Sequence, residues 1–364
     1  MKILIIQDYL RSGGTERQSM LLANAFAGAG HETTLLTFRP GGALADTVAP
    51  KVMRRVLQPF DTRLDWFVPG LNNEARSVAP DVILCMGRMA NCFAGRLHEN
   101  IPTSVVVATM RTGKRLPGLF RRSLRLVPHV VANSADARDA LVRQHAIPAE
   151  KISVIHNSLV FPPASALWRN EPLRTQLGAK PTTFVLLNVA MFRREKNQRE
   201  LIEIATGLPD QLDWQLWLAG DGPERAACEE LAAQRKLGAR VKFLGFHRDP
   251  TPLYCAADLA VHASWSEALS NFLIEAQAHG LLAVAYEAQG ITECFKPGRT
   301  GWAIARDDRA AFRDTVTRRI SEPAIAHAER SANARIYARE NFDADRQVAA
   351  YLNLFQRLRA PSAP

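Results

Sequence analysis

Short apolar runs alternate with amphipathic stretches along most of the chain. ILII (3–6) reads as a buried strand, and GTERQSMLLANAFAGAG (14–30) reads as a helix that stops at Gly28 or Gly30, with Met20, Leu21, Ala25 and Phe26 on helical spacing. TTLLTF (33–38), VILCM (82–86), SVVVAT (104–109), HVVANS (129–134) and ISVIHN (152–157) follow as strands. Continuous apolar strands suit a sheet covered on both faces, and the helical segments between them make that sheet parallel. Residues 161–183 break the rhythm. FPPASALWRNEPLRTQLGAKPTT holds four prolines and little periodicity, and reads as an interdomain linker with a short helix. The alternation then resumes with FVLLNVA (184–190), WQLWLAG (214–220), RVKFLGF (240–246), LAVHAS (259–264), LLAVAY (281–286) and GWAIA (301–305). This is a second parallel α/β domain, reaching about residue 340. A final helix, ADRQVAAYLNLFQRLRA, suits packing on either domain.

The expected fold class is therefore α/β, with two doubly wound parallel-sheet domains. An N-terminal domain covers 1–165 and a second covers 166–344, with the last helix, 345–364, free to pack back on the first or to stay with the second. The length of 364 residues exceeds one ordinary core. Open α/β sheets bind ligands outside the carboxyl ends of their strands, so a cleft between two such ends is the expected site.

Composition narrows the function classes. No apolar run reaches the roughly 18 residues of a membrane span. MKILIIQDYL is too short in its apolar part for a signal peptide and reads as the first strand. The five cysteines are odd in number and form no CxxC, which indicates neither a disulfide framework nor a zinc site and fits a reducing cytoplasm. The net charge of +10 favours an anionic partner: nucleic acid, a phosphorylated small molecule or an anionic membrane face.

Five stretches at strand exits carry possible chemistry. RSGGTERQ (11–18) places Gly13 and Gly14 before the first helix, where the backbone can approach an anion or simply make a tight turn. It is no dinucleotide fingerprint, because G-x-G-x-x-G is absent. NVAMFRREKNQRELIEIA (188–205) sets Arg193, Arg194 and Lys196 at a strand-to-helix joint, as a diphosphate clamp or a solvated basic loop. LAGDGPERAACEELA (218–232) is accounted for by its turn chemistry. In VKFLGFHRD (241–249), Phe246 or His247 can flank a base, or belong to the core and surface.

The fifth stretch, LAVHASWSEALSNFLIEAQAHG, reads strand, loop, helix, with Ser270 or Asn271 as N-cap. Glu275 is expected in the first helical turn, where an acid suits the dipole. Glu267 precedes the helix and has no such local explanation.

Taken in order, these stretches resemble the retaining GT-B glycosyltransferases of family 4 over nearly the whole chain. GGTERQ (13–18) looks like the family's GG-x-E first loop, and VIHNSLV (154–160) is similar to the VIPNGVD segment that closes its N-terminal domain. FRREKNQ (192–198) looks like the FRPEKN form of its R-x(n)-K clamp. LAGDGPER, FLGF and Tyr254–Asp258 follow in family order, and EALSNFLIEA (267–276) is close to the E-x7-E signature.

The resemblance implies a GT-B fold, in which two Rossmann-like domains face across a cleft, and an anomer-retaining, metal-independent glycosyltransferase with no cofactor. It implies catalytic roles for Arg193, Lys196 and Glu267, with Glu267 on donor-sugar hydroxyls and the two cations on the leaving diphosphate. It places Glu275 on the ribose hydroxyls, and the N–H groups of Leu269, Ser270 and Asn271 on the diphosphate. Gly13, Gly14, Thr15, Gly220, Phe246 and His247 complete the implied donor site.

The implied donor is a nucleotide sugar, a UDP-sugar on family frequency, and the acceptor is a saccharide or lipid-linked saccharide of cell-surface polysaccharide or glycolipid. Three departures stand out. Met191 occupies the usual clamp arginine position, so Arg193 substitutes. Met110 and Arg111 replace the family's histidine after the VVVAT strand. Ala268 replaces a glycine.

Arg111 and Lys114 are acceptor-side candidates. They open RTGKRLPGLFRRSLR (111–125), a stretch without acids that is suited either to a solvated loop and helix or to an anionic membrane surface. The expected location is cytoplasmic, with possible peripheral attachment to the inner face of the plasma membrane. Asp343-Ala344-Asp345 precedes the last helix and reads as an N-cap rather than a metal site. Other readings are a GT-B epimerase or phosphorylase, and a nucleotide-sugar-binding protein without turnover. The charge also permits nucleic-acid binding, for which no recognisable motif is present.

Overall fold

The structure, a computed structural model, describes residues 1–161, 163 and 168–360. The chain divides into two compact units, 1–158 with 344–364, and 159–343.

The first unit is built on a seven-stranded sheet: β1 (Lys2–Gln7), β2 (Glu32–Thr37), β3 (Met53–Val56), β4 (Val82–Cys85), β5 (Val105–Met110), β6 (His129–Ala132) and β7 (Ile152–Val154). All pairs are parallel, in the order β3-β2-β1-β4-β5-β6-β7. The pleat sorts β1 between two cores, with Leu4 and Ile6 on one face and Ile3 and Ile5 on the other. That double burial is why the strand reads as an unbroken apolar run. The exception is β3. Its MRRV is exposed or half-buried throughout and has a neighbour only in β2, so no apolar pattern announces it.

The second unit carries β8 (Phe184–Val189), β9 (Trp214–Ala219), β10 (Val241–Gly245), β11 (Leu259–His262), β12 (Leu282–Tyr286) and β13 (Gly301–Ile304). They are parallel in the order β10-β9-β8-β11-β12-β13, so the winding reverses between β8 and β11. Such a switch point is where doubly wound sheets bind ligands. The two faces differ in bulk. Leu259, Val261, Leu282 and Val284 point one way, while Ala260, Ala283 and Ala285 point the other. The alanine face receives the helix Asn271–Ala278 through Leu273, Ile274 and Ala276. Small residues on that face let the helix start close to the strand ends.

The expected boundary at 165/166 lies outside the described residues. The division falls after Ser158, because Leu159 bridges to Asp343 and donates its N–H to Phe342 O at 2.9 Å. The helix Ala344–Arg359 belongs to the first unit, where Tyr351, Leu354 and Phe355 join the Ile3/Ile5 core. The Phe26 and Phe355 rings meet edge-on at 5.8 Å. A buried amide cluster fixes this corner: the Gln18 side chain both donates to Ser158 O and accepts from Ser158 N–H, at 2.8 and 3.0 Å. Gln347 donates to Gln18 Oε1 at 3.1 Å and to His156 O at 2.6 Å. Among the described residues, no helix is long and apolar enough to cross a membrane.

Candidate active site

Two loops leave the switch point of the second sheet. The first follows β8, makes a short 3-10 turn at Arg194–Lys196 and enters the helix Gln198–Thr206 through Asn197. Asn197 sits in the left-handed region at φ 54°, a conformation its short polar side chain tolerates. The second loop follows β11 and reaches the helix Asn271–Ala278, where Ser270 is the N-cap and its hydroxyl accepts from Leu273 N–H at 3.4 Å. Glu195 O ties the loops together, accepting from Ser264 Oγ at 2.9 Å and Trp265 N–H at 3.1 Å. Gly290 braces the second loop from behind. Its φ is +71°, and a Cβ there would lie 2.0 Å from Ala268 O.

This stitching brings together three side chains. Lys196 Nζ donates to Glu267 Oε1 at 2.5 Å, and His262 Nε2 lies 3.0 Å from the same oxygen. Glu267 is only 9% exposed and His262 1%. Burial pushes the Glu267 carboxyl up, but the Lys196 charge and the hydrogen bonds from His262 and Lys196 outweigh it and hold the carboxyl down at about 2. Burial lowers His262 below the usual imidazole range, against the pull of Glu267. The cluster is thus an ionised carboxylate held by one ammonium and one neutral imidazole. Lys196 and Glu267 were singled out from sequence. His262 was not, although it is the one ionisable residue inside the apolar LAVHA run.

Glu275 lies on the same helix. It is the fifth residue of Asn271–Ala278, so it stands in the second turn, not the first as the sequence reading expected, and that first turn holds no acid. The helix begins one residue after Ser270, which leaves Glu275 beyond the free N–H groups. Its carboxylate is held instead by Tyr254, whose hydroxyl donates to Oε2 at 2.6 Å. Tyr254 is itself stacked on His279 at 4.8 Å, a placement no local pattern announces. The N–H groups of Leu269 and Ser270 donate to no acceptor among the described residues.

Arg193 is exposed and, among the described residues, has no ion-pair partner. The turn after β9 packs on its loop. Gly220 and Gly222 have φ +139° and +150°, and a Cβ on either would come within 2.4 Å of Ala190 O or Phe192 O. Phe192 N–H donates to Asp221 O at 2.9 Å. Backbone approach, as the turn chemistry suggested, accounts for these glycines. Phe246 is exposed and His247 half-buried beyond β10.

In the first unit, Gly13 is the N-cap of Gly14–Gly28, and a Cβ on it would lie 2.4 Å from Glu16 Oε2. Thr15 follows in the first turn. Asp8, directly after β1, was not singled out. Its carboxylate accepts from Met89 N–H at 2.9 Å and Ala90 N–H at 2.7 Å at the start of the helix Arg88–Asn100. Burial raises its pKa to about 7 against those two N–H groups, and Asp65 and Glu16 add to the rise.

Arg111 donates to Asn157 Oδ1 at 2.5 Å and to the Tyr351 hydroxyl at 2.7 Å, while its Nε–H is buried without a partner among the described residues. It ties the end of β5 to the last helix. Lys114 is exposed on the next loop. The helix Gly118–Leu126 buries Phe120, Ser123 and Leu124 and leaves Leu119, Arg121, Arg122 and Arg125 outside.

Two doubly wound sheets, the second with an ionised carboxylate and a lysine at its switch point, define a GT-B architecture. Family models agree with it. "Glycosyltransferase Family 4" matches residues 12–159, and "Glycosyl transferases group 1" matches residues 170–341. The chain belongs to the GT-B glycosyltransferases.

Among its relatives is the lipopolysaccharide core biosynthesis glycosyltransferase LpsE of Rhizobium meliloti, 24% identical over 86% of this chain and 88% of that protein. Another is N-acetyl-alpha-D-glucosaminyl L-malate synthase of Bacillus anthracis, 25% identical over 50% of this chain but only 48% of its own length. In fold, the chain is similar to Anabaena Alr3699/HepE crystallised with UDP, with a TM-score of 0.82 and 23% identity over 98% of this chain and 100% of that one.

Proposed function

We propose that this chain is an anomer-retaining, metal-independent glycosyltransferase that moves a sugar from a UDP-sugar to a saccharide or lipid-linked saccharide of cell-surface polysaccharide or lipopolysaccharide. The observation that carries the reading is the Lys196–Glu267 pair, set beside two unpaired N–H groups at the start of Asn271–Ala278. The relative named for lipopolysaccharide core biosynthesis and the fold neighbour crystallised with UDP support the choice of acceptor and nucleotide.

In this reading the diphosphate lies on the N–H groups of Leu269, Ser270 and Asn271, where a helix start favours an anion. Glu275, steadied by Tyr254, accepts the ribose hydroxyls, and Glu267 accepts a hydroxyl of the donor sugar. Arg193 and Lys196 meet the negative charge that grows on the diphosphate as the anomeric C–O bond breaks. The acceptor hydroxyl attacks the anomeric carbon on the face the diphosphate leaves, which retains the configuration. Its proton passes to a diphosphate oxygen, so no protein base and no cofactor is needed. Gly220, Phe246 and His247 border the nucleotide end of the donor site.

Arg111, held in place by Asn157 and Tyr351 with N–H groups to spare, and Lys114 are the acceptor-side groups of the first unit in this reading. The outward arginines of Gly118–Leu126, with Leu119, suit an anionic lipid surface at the inner face of the plasma membrane.

The test is thermal stabilisation by UDP-, GDP- and ADP-sugars, followed by the anomeric configuration of the product and its yield in EDTA. Failure of all three donors to stabilise the protein, or an inverted product, refutes the reading. Co-sedimentation with phosphatidylglycerol vesicles, and its loss in an Arg121/Arg122/Arg125→Glu variant, tests the membrane part.

A further inference from the structure

We propose that His262 is a positioning residue for sugar transfer: it donates from Nε2 to the Glu267 oxygen that Lys196 also holds, and so turns the carboxylate to present Oε2 alone to the donor sugar. This rests on the reading above, in which Glu267 meets the sugar.

Both donors converge on Oε1, His262 at 3.0 Å and Lys196 at 2.5 Å. Among the described residues, Oε2 has no partner. An ionised carboxylate only accepts, so the imidazole hydrogen must sit on Nε2. Nδ1 is then a bare acceptor, and it is buried without a donor among the described residues.

Core packing does not account for this histidine. It closes β11 among apolar neighbours, with the Phe272 ring 5.7 Å away, and leucine would fill such a place with no unsatisfied nitrogen. Burying a half-satisfied imidazole costs stability, and it is retained where the other half has a task. Two donors on one oxygen supply that task. They fix the carboxylate plane from two directions, where lysine alone, on a flexible stem, holds a point charge. Burial keeps the imidazole neutral, so it acts through one hydrogen bond and adds no second cation to the pair.

Binding of UDP-glucose and of UDP is measured by calorimetry on wild type, H262L, H262Q and E267Q. Where wild type takes GDP- or ADP-glucose instead, that pair is used. The quantity read is the gain in affinity from the sugar. H262L is expected to lose about tenfold of it with nucleoside diphosphate affinity unchanged, as one hydrogen bond to a charged group warrants. E267Q is expected to behave alike. H262Q, whose amide donates from nearly the same point, is expected to stay within about twofold of wild type. H262L is also expected to unfold no earlier than wild type.

An H262L that keeps the sugar gain, loses both ligands equally, or matches H262Q overturns the proposal and leaves the donor-site reading standing. An E267Q that keeps the sugar gain removes both.

Discussion

Two carboxylates stand at comparable places in the two units and are held in opposite ways. Asp8 follows β1 at the switch point of the first sheet, and Glu267 follows β11 at that of the second. Both are buried. Asp8 receives two backbone N–H groups and, among the described residues, no cation, and its pKa rises to about 7. Glu267 receives a lysine and a histidine, and its pKa falls to about 2.

The comparison teaches that burial at a strand end does not set a carboxylate's state. A full opposite charge does, and helix N–H dipoles alone fall short of it. It also teaches where an anion is invited. In the first unit the start of Arg88–Asn100 is filled by the chain's own Asp8. In the second unit Ser270 caps the helix with a neutral hydroxyl, and Glu267 is turned toward Lys196.

The comparison can be broken at four points. The largest effect is expected from K196A, which removes the charge that makes Glu267 unlike Asp8. Donor turnover should fall about 10³-fold, with nucleotide affinity little changed, as measured by steady-state kinetics and calorimetry. Unchanged turnover would mean the pair is structural.

The next effect is on stability against pH, and here the signs differ. Asp8, with a raised folded pKa, costs stability progressively as pH rises from about 4 to about 7. Relative to D8N, wild type should therefore weaken over that window in urea unfolding. Glu267, with a depressed folded pKa, stabilises above about 4.5 and loses that contribution as pH falls toward 2. Wild type should weaken relative to E267Q only on that acid side.

Third, Gly87 gives Asp8 its room, since a Cβ there would lie 2.1 Å from Asp8 Oδ1. G87A should cost about 2 kcal/mol in urea unfolding and restore part of it when combined with D8A. Smallest is Y254F, which takes the hydroxyl from Glu275. It should weaken nucleotide binding by about tenfold or less, read as a rise in Kd without loss of fold.

Much of this was legible in the chain, for physical reasons. Strands buried on both faces announce themselves, which is why twelve of the thirteen strands stand where apolar runs predict them. β3 did not, because an exposed edge strand has no burial to pattern it. The helix start at Ser270, and the nearness of Lys196 and Glu267 to strand ends, follow from local signals. Their partners do not. Tyr254 lies 21 residues before Glu275 in the chain, and Arg111 finds Tyr351 across 240 residues. Such pairs exist only once the sheets are wound. His262 left only a faint mark, a titratable residue within an apolar strand.

The final helix has a consequence for synthesis. Ala344–Arg359 is translated after the whole of the second unit, yet Tyr351, Leu354 and Phe355 complete the core that Ile3, Ile5 and Phe26 begin. A nascent chain that has just passed Asp343 holds every residue of the second unit but only part of the first. Of the two units, the one that leaves the ribosome first is therefore completed second, and until then the apolar β1 face that Tyr351, Leu354 and Phe355 cover is open to aggregation.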